Sequence, residues 1–535
     1  MNKDAIPLVA PPWLPVVLLG GLSVVYYASY FDAGFNIADE GNYAQFAYEL
    51  SLGTSLNDLP VSYGLLWFKI GEALFRLFGA DLVLVRLLFF ACILATTLLV
   101  YAALVRVTGW RWFAAAVALV PALAPAFPPT TFYGLCVLIN CVPQLRLAQR
   151  IESAVPGDAA LAGAALALSF QIRPDFGYIF LVPLGVLLFL SARRAGAVDS
   201  DILVRLAGAA TIGFVIAHLP GVILAVEDGY LGTLIGQYIS YPLMLADYGL
   251  RGISALFSGP MDGASALLQR PRLFSAASSA EERLALLVYL PPVIVGAYTA
   301  YTALTLRGAS DRLGQGATAL VVLVTGVAAL PHYFFYRPDL SHIANFMPGF
   351  TVLAGVIMWR AFTHSARGAV FAAPIAFVIA LYLWSAFAQE GSGSMAGSLG
   401  RTERFTGENG VDVRLHPAEK VLYEDLKAII AANSAPGDAI VCVPYCPGIA
   451  FMTGRRLLFR EQYVDDTLPA RNPAWIEEAI ALTRERRPPV VIVMDWAING
   501  TDISRFSRWA SPYMEALEGL AREKLERPGL AIYLL

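Results

Sequence analysis

The chain has 535 residues, of which 57% are hydrophobic and 15% charged, with a mean hydropathy of +0.60 and a formal net charge of −3 at pH 7. Soluble globular chains carry about 25% charged residues, so this deficit marks a polytopic membrane protein. The small net charge excludes a nucleic-acid footprint, and the arginines gather in short loops, which is a topology signal.

A spanning helix needs about 20 apolar residues. In chain order, candidate spans fall at residues 11–30, 81–105, 112–127, 131–148, 159–172, 176–192, 203–225, 284–306, 316–335, 343–361 and 368–388. The first is long enough to span and lacks an A-x-A exit, so it is not read as a cleavable signal peptide. Between the first two lies a polar stretch, residues 31–80. Its "GNYAQFAYELSLG" is amphipathic, with Tyr43, Phe46, Ala47 and Leu50 on one face. Its "YGLLWFKIGEALFRLFG" carries Lys69, Glu72 and Arg76 and reads as an amphipathic helix in the membrane interface, not a span. With that assignment Lys3, Arg106 and Arg111, Arg146 and Arg150, Arg193 and Arg194, Arg307 and Arg312, and Arg360 and Arg367 share one side. Positive loops are cytoplasmic, so the N-terminus is expected in the cytoplasm. Residues 31–80, the loops near 173, 227–283 and 337–342, and the C-terminal region are then expected outside.

After the last span the composition turns Gly/Ser-rich and polar, and residues 391–410 read as a linker between a transmembrane domain, residues 1–390, and a small soluble α/β domain, residues 411–535. There "DAIVCVP", "PVVIVMD" and "GLAIYLL" have the character of buried strands. They alternate with "PAEKVLYEDLKAIIAAN", "NPAWIEEAIALTRERR" and "ISRFSRWASPYMEALEGLAREKL", which have helical spacing and suggest a βαβ arrangement. No G-x-G-x-x-G or Walker A motif is present. Cys92, Cys136 and Cys141 sit in apolar runs, whereas Cys442 and Cys446 in "CVPYC" suit packing or a local disulfide. Asn499-Gly500-Thr501 is a glycosylation sequon by pattern only.

Three polar clusters converge on the expected outer face. Asp39 and Glu40 follow the first span, where a solvated pair or a helix cap is the plain reading. "SFQIRPDFGYIF" places Arg173 and Asp175 inside an apolar hairpin, as a structural ion pair or a functional group. "HYFFYRPDLSHIANF" repeats R-P-D at Arg337 and Asp339, flanked by His332 and His342. Carboxylates with arginines at the membrane boundary suit a lipid-linked phosphate. Arginine binds phosphate through bidentate, charge-assisted bonds, and a carboxylate can accept a proton from an attacking hydroxyl. On this reading Asp39 is the base, and Arg173 and Arg337 are the phosphate clamps.

The run "ADEGNYAQFAYELSLG", followed by "YGLLWFKIGEALFRLFGADLVLVRLL", resembles the GT-C class of integral-membrane glycosyltransferases, in its protein O-mannosyltransferase and lipid A aminoarabinose transferase branch. The matching positions are Asp39, Glu40, Gly53, Leu77-Phe78-Gly79 and Arg86, and the likeness covers roughly residues 10–390. The resemblance implies a catalytic Asp39–Glu40 pair with Asp39 as base and a donor-phosphate contact from Arg173, with Lys69 carried over as a second; it assigns no role to the R-P-D-x-x-H block, so Arg337 stays a phosphate clamp on the reading of the residues alone. Asp175, Asp339, His342 and Arg86 are the supporting residues. "RPDFG" departs from the Lys-Gly common in the family, and Lys69 falls later than the family's basic residue. The resemblance also implies a polyprenyl-phosphate sugar donor used on the periplasmic face of a bacterial inner membrane. A divalent cation beside the acidic pair occurs in some GT-C enzymes, and the metal is undecided here. The acceptor is a lipid, a glycan or a protein.

Two other readings compete. A flippase of lipid-linked saccharides should show interrupted helices in related halves and charges near the bilayer midplane. Here the charges gather at one face and no halves correspond. A plain membrane anchor leaves Arg173, Asp175, Arg337 and Asp339 without a purpose.

Overall fold

The computed structural model describes residues 11–59, 64–124, 130–194, 197–240, 242–243, 246, 278–305, 313–336, 338–364, 366–388, 395–498 and 502–535. The first domain is a bundle of helices whose apolar surfaces pack on one another. They are α1 (Leu14–Ala28), α2 (Asp39–Ser51), α3 (Leu65–Phe78), α4 (Leu82–Thr108), α5 (Arg111–Leu123), α6 (Phe132–Gln149), α7 (Pro156–Ile172), α8 (Pro174–Ala192), α9 (Ser200–Glu227), α10 (Ser279–Thr305), α11 (Leu313–Val327), α12 (Leu340–His364) and α13 (Ala366–Ala388). Apart from α2 and α3, each overlaps one of the eleven expected spans. Among the described residues, six helices are long and apolar enough to cross a membrane, while Leu14–Ala28, Arg111–Leu123 and Ala372–Phe387 are apolar but shorter.

Local chemistry sets the boundaries. Asp81 caps α4 by accepting from the Val83 amide, and Gly109 ends it in the left-handed conformation that a side chain disfavours. Pro174 opens α8 directly after α7 closes at Ile172, so Arg173 is pinned at a tight helix–helix corner. Where α7 crosses α9, a Cβ on Gly163 would lie 1.9 Å from the Ala210 carbonyl oxygen, and one on Gly213 would lie 2.0 Å from that of Ala160. Small residues at both points let the two backbones touch, as apolar helices in lipid require.

The bundle has two chemically distinct ends. At one, Arg146 and Arg150 pair with Asp158 at 2.6 and 3.0 Å, and Gln149 Nε2 donates to the Arg106 carbonyl at 2.7 Å. At the other, α2 and α3 lie across the helix ends. The Gly64 amide donates to the Ile172 carbonyl at 2.8 Å, and Lys69 pairs with Asp228 after α9 at 2.5 Å. The described residues of α2 and α3 and the pairs of Arg106, Arg146 and Arg150 therefore occupy opposite ends of the bundle.

The C-terminal domain sits on the α2 end. It begins with an antiparallel hairpin, β1 (Glu403–Thr406) and β2 (Asp412–Leu415), continues with α14 (Pro417–Asn433), and is centred on a five-stranded sheet. The sheet order is β4–β3–β5–β7–β6, with β3 (Ala439–Val443), β4 (Arg456–Leu457), β5 (Val490–Met494), β6 (Glu523–Arg527) and β7 (Leu530–Leu534). Strand β3 runs parallel to β4 and β5, while β7 is antiparallel to β5 and β6. Side chains alternate between the two faces with the period of a strand. Ile440, Cys442, Ile492 and Ile532 join the core continuous with the bundle, whereas Val441, Val443, Val491, Val493 and Tyr533 pack against α16 (Trp475–Arg486) and α17 (Ser511–Leu520). The three strands and the first two helices fall where the sequence places them. Two segments differ. The stretch expected to be a linker contains β1, and the last expected helix ends at Leu520, after which Glu523–Arg527 is strand paired with β7. A neighbouring strand's backbone outweighs the helical preference of "AREKL".

The two domains interlock through α15 (Pro447–Met452) and α2. The Gly448 amide donates to the Ile37 carbonyl at 2.8 Å. A Cβ on Gly448 would stand 2.6 Å from the Ile37 Cα, and one on Gly41 would stand 2.4 Å from the Gly448 Cα. Gly448→Val is therefore expected to cost about 1–3 kcal/mol by overpacking. Thermal unfolding of the purified protein should show a lower midpoint for this variant and no change for Gly157→Ala, whose added Cβ meets nothing within 4 Å.

Candidate functional site

The loop after α1 is held in place before any functional group appears. The Gly34 amide donates to the Arg414 carbonyl, and the Arg414 amide donates to the Asp32 carbonyl, each at 2.7 Å, so a single parallel bridge at Ala33 ties the loop to β2. Arg414 Nη2 also meets Asp32 Oδ1 at 2.7 Å. Hydrogen bonding from Arg414 holds the Asp32 carboxyl below its usual range. A lowered carboxylate pKa gives stability that is present above the unfolded value and lost as pH falls through the folded one. Acidification below about pH 4 should loosen this loop from the C-terminal domain. Hydrogen exchange of the Gly34 and Arg414 amides against pH measures it, and Asp32→Asn should remove the acid dependence.

At the start of α2, Asn36 Oδ1 accepts from the Ala38 and Asp39 amides at 2.9 and 3.0 Å, which fixes the first turn. The two adjacent carboxylates then part company, because successive helical residues point about 100° apart. Glu40 turns inward and is 3% exposed. Arg86 Nε and Nη2 donate to its two oxygens at 2.7 and 3.1 Å, and Arg86 also donates to the Phe31 and Gly34 carbonyls. Asp39 stays half-buried, and its Oδ1 accepts from the Tyr445 hydroxyl at 2.9 Å. Tyr445 comes from the C-terminal domain, within the loop closed by the Cys442–Cys446 disulfide. Its partnership with Asp39 spans 406 residues, and no local signal announces it.

The second cluster ties the α7–α8 corner to the segment after α11. Arg173 Nε donates to Asp175 Oδ1 at 2.9 Å, His332 Nε2 hydrogen-bonds Asp175 Oδ2 at 2.7 Å, and the Arg173 guanidinium lies 4.7 Å from the centre of the Tyr133 ring. All three polar residues are buried. An aromatic series joins this unit to α2. Tyr43, one turn after Asp39, lies 5.0 Å from Trp67, which lies 4.6 Å from Phe132, which lies 4.9 Å from Tyr133.

The remaining candidates are placed as follows. Asp339 accepts from the His342 amide at 2.9 Å and from His342 Nδ1 at 2.8 Å, the geometry of an N-cap for α12. Lys69 pairs with Glu72 at 2.7 Å as well as with Asp228, and Glu72 also pairs with Arg76. Arg337 lies outside the described residues, as does the sequon from Asn499 to Thr501. The structure thus joins Arg173, Asp175 and His332, joins Glu40 and Arg86, and adds Tyr445 to Asp39. Among the described residues, no group of three or more His, Cys, Asp or Glu side chains is placed to hold a metal ion. With both Glu40 oxygens on Arg86, the acidic pair does not offer a cation two open carboxylates.

An apolar helical bundle, an acidic residue opening an amphipathic helix after the first helix, and a C-terminal domain seated on that same end make up a membrane-protein architecture that matches an ArnT-like, GT-C-like fold. The crystal structure of ArnT from Cupriavidus metallidurans bound to undecaprenyl phosphate shares this fold over 98% of both chains, with a TM-score of 0.52 and 14% sequence identity. No protein-family model matches the sequence, and no curated relative matches it.

Proposed function

We propose that this protein is an inner-membrane glycosyltransferase that moves a sugar from a polyprenyl-phosphate donor to an extracytoplasmic acceptor. The observation that carries the reading is the position of Asp39. It is a half-buried carboxylate at a helix N-terminus, at the end of the bundle covered by the C-terminal domain, in a fold shared with a protein crystallised with undecaprenyl phosphate. The helix N-terminus and the Tyr445 hydroxyl both favour the negative charge that a base needs.

In the proposed step the acceptor oxygen attacks the anomeric carbon as its proton passes to Asp39. The bond from that carbon to the phosphate oxygen breaks, and its electron pair leaves on the phosphate. A single displacement of this kind inverts the anomeric configuration. Arg173 is retained as the basic residue nearest in role to the leaving phosphate, with Asp175, His332 and Tyr133 fixing its orientation. Lys69 is better placed as a structural tie between α3 and the end of α9, given its two ion pairs. Glu40 is better placed as the anchor that Arg86 holds, orienting the first turn on which Asp39 stands. The arginine-rich opposite end of the bundle and the disulfide in the C-terminal domain support a periplasmic setting for this end. Proteoliposomes supplied with a panel of polyprenyl-phosphate sugars and acceptors test the reading. Release of polyprenyl phosphate coupled to sugar transfer is expected, and transport of intact donor without cleavage would favour the flippase alternative.

A further inference from the structure

We infer that the C-terminal domain binds the carbohydrate part of the acceptor in the crevice at the carboxyl ends of β3 and β5, and presents its hydroxyl to Asp39. This rests on the transferase reading and names the site where that reaction's second substrate is held.

The argument begins with connectivity. From β3 the chain passes through α15 to β4 on one side, then through α16 to β5 on the other. The two crossover helices pack on opposite faces of the sheet, because α15 belongs to the core shared with the bundle and α16 to the separate core. The gap between β3 and β5 is therefore a topological switch point, and open α/β sheets bind ligands outside the carboxyl ends of strands at such points. Here that end does not face bulk water. The residue two places beyond β3 is Tyr445, whose hydroxyl donates to Asp39. A ligand held in the crevice lies against the carboxylate proposed as base.

The chemistry of the rim selects a sugar. The Val464 amide donates to the Pro444 carbonyl at 2.9 Å, which clasps residues 462–464 to the end of β3. Tyr463 meets Tyr445 edge-on at 4.9 Å between ring centres and is 37% exposed. Trp496, two residues past β5, is 44% exposed. Gln462 is 3% exposed, and its side-chain oxygen is buried without a hydrogen-bond partner. Buried polar atoms are normally satisfied, so this oxygen keeps unused hydrogen-bonding capacity one residue before Tyr463. Two partly exposed aromatic rings past the ends of β3 and β5, a tyrosine hydroxyl and an unsatisfied amide oxygen next in sequence to one of the rings match a polyhydroxylated ring, with apolar faces and polar edges. An acyl chain would leave the amide oxygen unpaired.

The test uses the full-length protein in detergent. At saturating donor, Tyr463→Ala and Trp496→Ala should each raise the acceptor KM by about five- to tenfold, with the donor KM unchanged. Tyr445→Phe should instead lower kcat with the acceptor KM unchanged, because Asp39 loses the hydroxyl that positions it. A second arm measures binding of neutral, amino-sugar and acidic tetrasaccharides by saturation-transfer NMR. At least one should bind wild type and Asp39→Asn, and fail to bind Tyr463→Ala and Gln462→Leu. Unchanged acceptor KM in both aromatic variants, or no tetrasaccharide binding to wild type, overturns the inference. Binding that is lost in the variants while wild type transfers no sugar from any donor leaves the crevice standing and removes the transferase reading instead.

Discussion

Asp39→Asn should reduce sugar transfer by about 10²–10⁴-fold, the usual contribution of a positioned general base. The substitution is chosen because the asparagine oxygen still accepts from Tyr445, so the contact between the domains survives while the proton acceptor is gone. Single-turnover transfer in proteoliposomes measures the loss, and an unchanged thermal midpoint shows that the fold is intact. A drop in kcat and in kcat/KM together is expected, since a base acts in the transition state and not in binding the donor. Full turnover in Asp39→Asn would remove this residue from the chemistry.

Arg86→Met should be the most destabilising single change at this end of the bundle. It leaves the Glu40 carboxylate buried without its cation and leaves the Phe31 and Gly34 carbonyls without their donor. Breaking one side of a buried ion pair costs about 3–5 kcal/mol. Lysine is not an adequate substitute, because a single ammonium cannot reproduce the two-pronged contact with Glu40 and the two carbonyl contacts at once. Glu40→Met combined with Arg86→Met should recover much of the lost stability, since replacing a whole buried pair by apolar groups is often neutral. Thermal unfolding of the four proteins in a double-mutant cycle gives the coupling. A coupling near zero would contradict the anchoring role assigned to Glu40.

The helical bundle was legible because lipid forces each spanning backbone to satisfy its own hydrogen bonds, so a long apolar run has one outcome. The strands "DAIVCVP", "PVVIVMD" and "GLAIYLL" were legible for a related reason, since short runs buried on both faces are uniformly apolar. What escaped was decided by partners distant in sequence. "EKLER" looks helical and becomes strand only because β7 lies beside it. The hairpin at residues 403–415 hides in polar sequence, since its pairing with Asp32 and Gly34 comes from the far end of the chain. Within the site, Asp39 and Glu40 are chemically alike as letters, and only the turn of α2 sends one toward Arg86 and the other toward Tyr445. Arg173 and Asp175 were recognisable as costly charges in an apolar hairpin. Their third member, His332, had no link to them until α8 and the segment after α11 packed together.

The most direct test is the anomeric configuration of the product formed by the reconstituted protein from a polyprenyl-phosphate sugar of defined anomer. Direct attack by an acceptor deprotonated at Asp39 yields the opposite anomer, with one polyprenyl phosphate released per sugar transferred. A product that keeps the donor's configuration, or a protein that cleaves no such donor, would contradict the account.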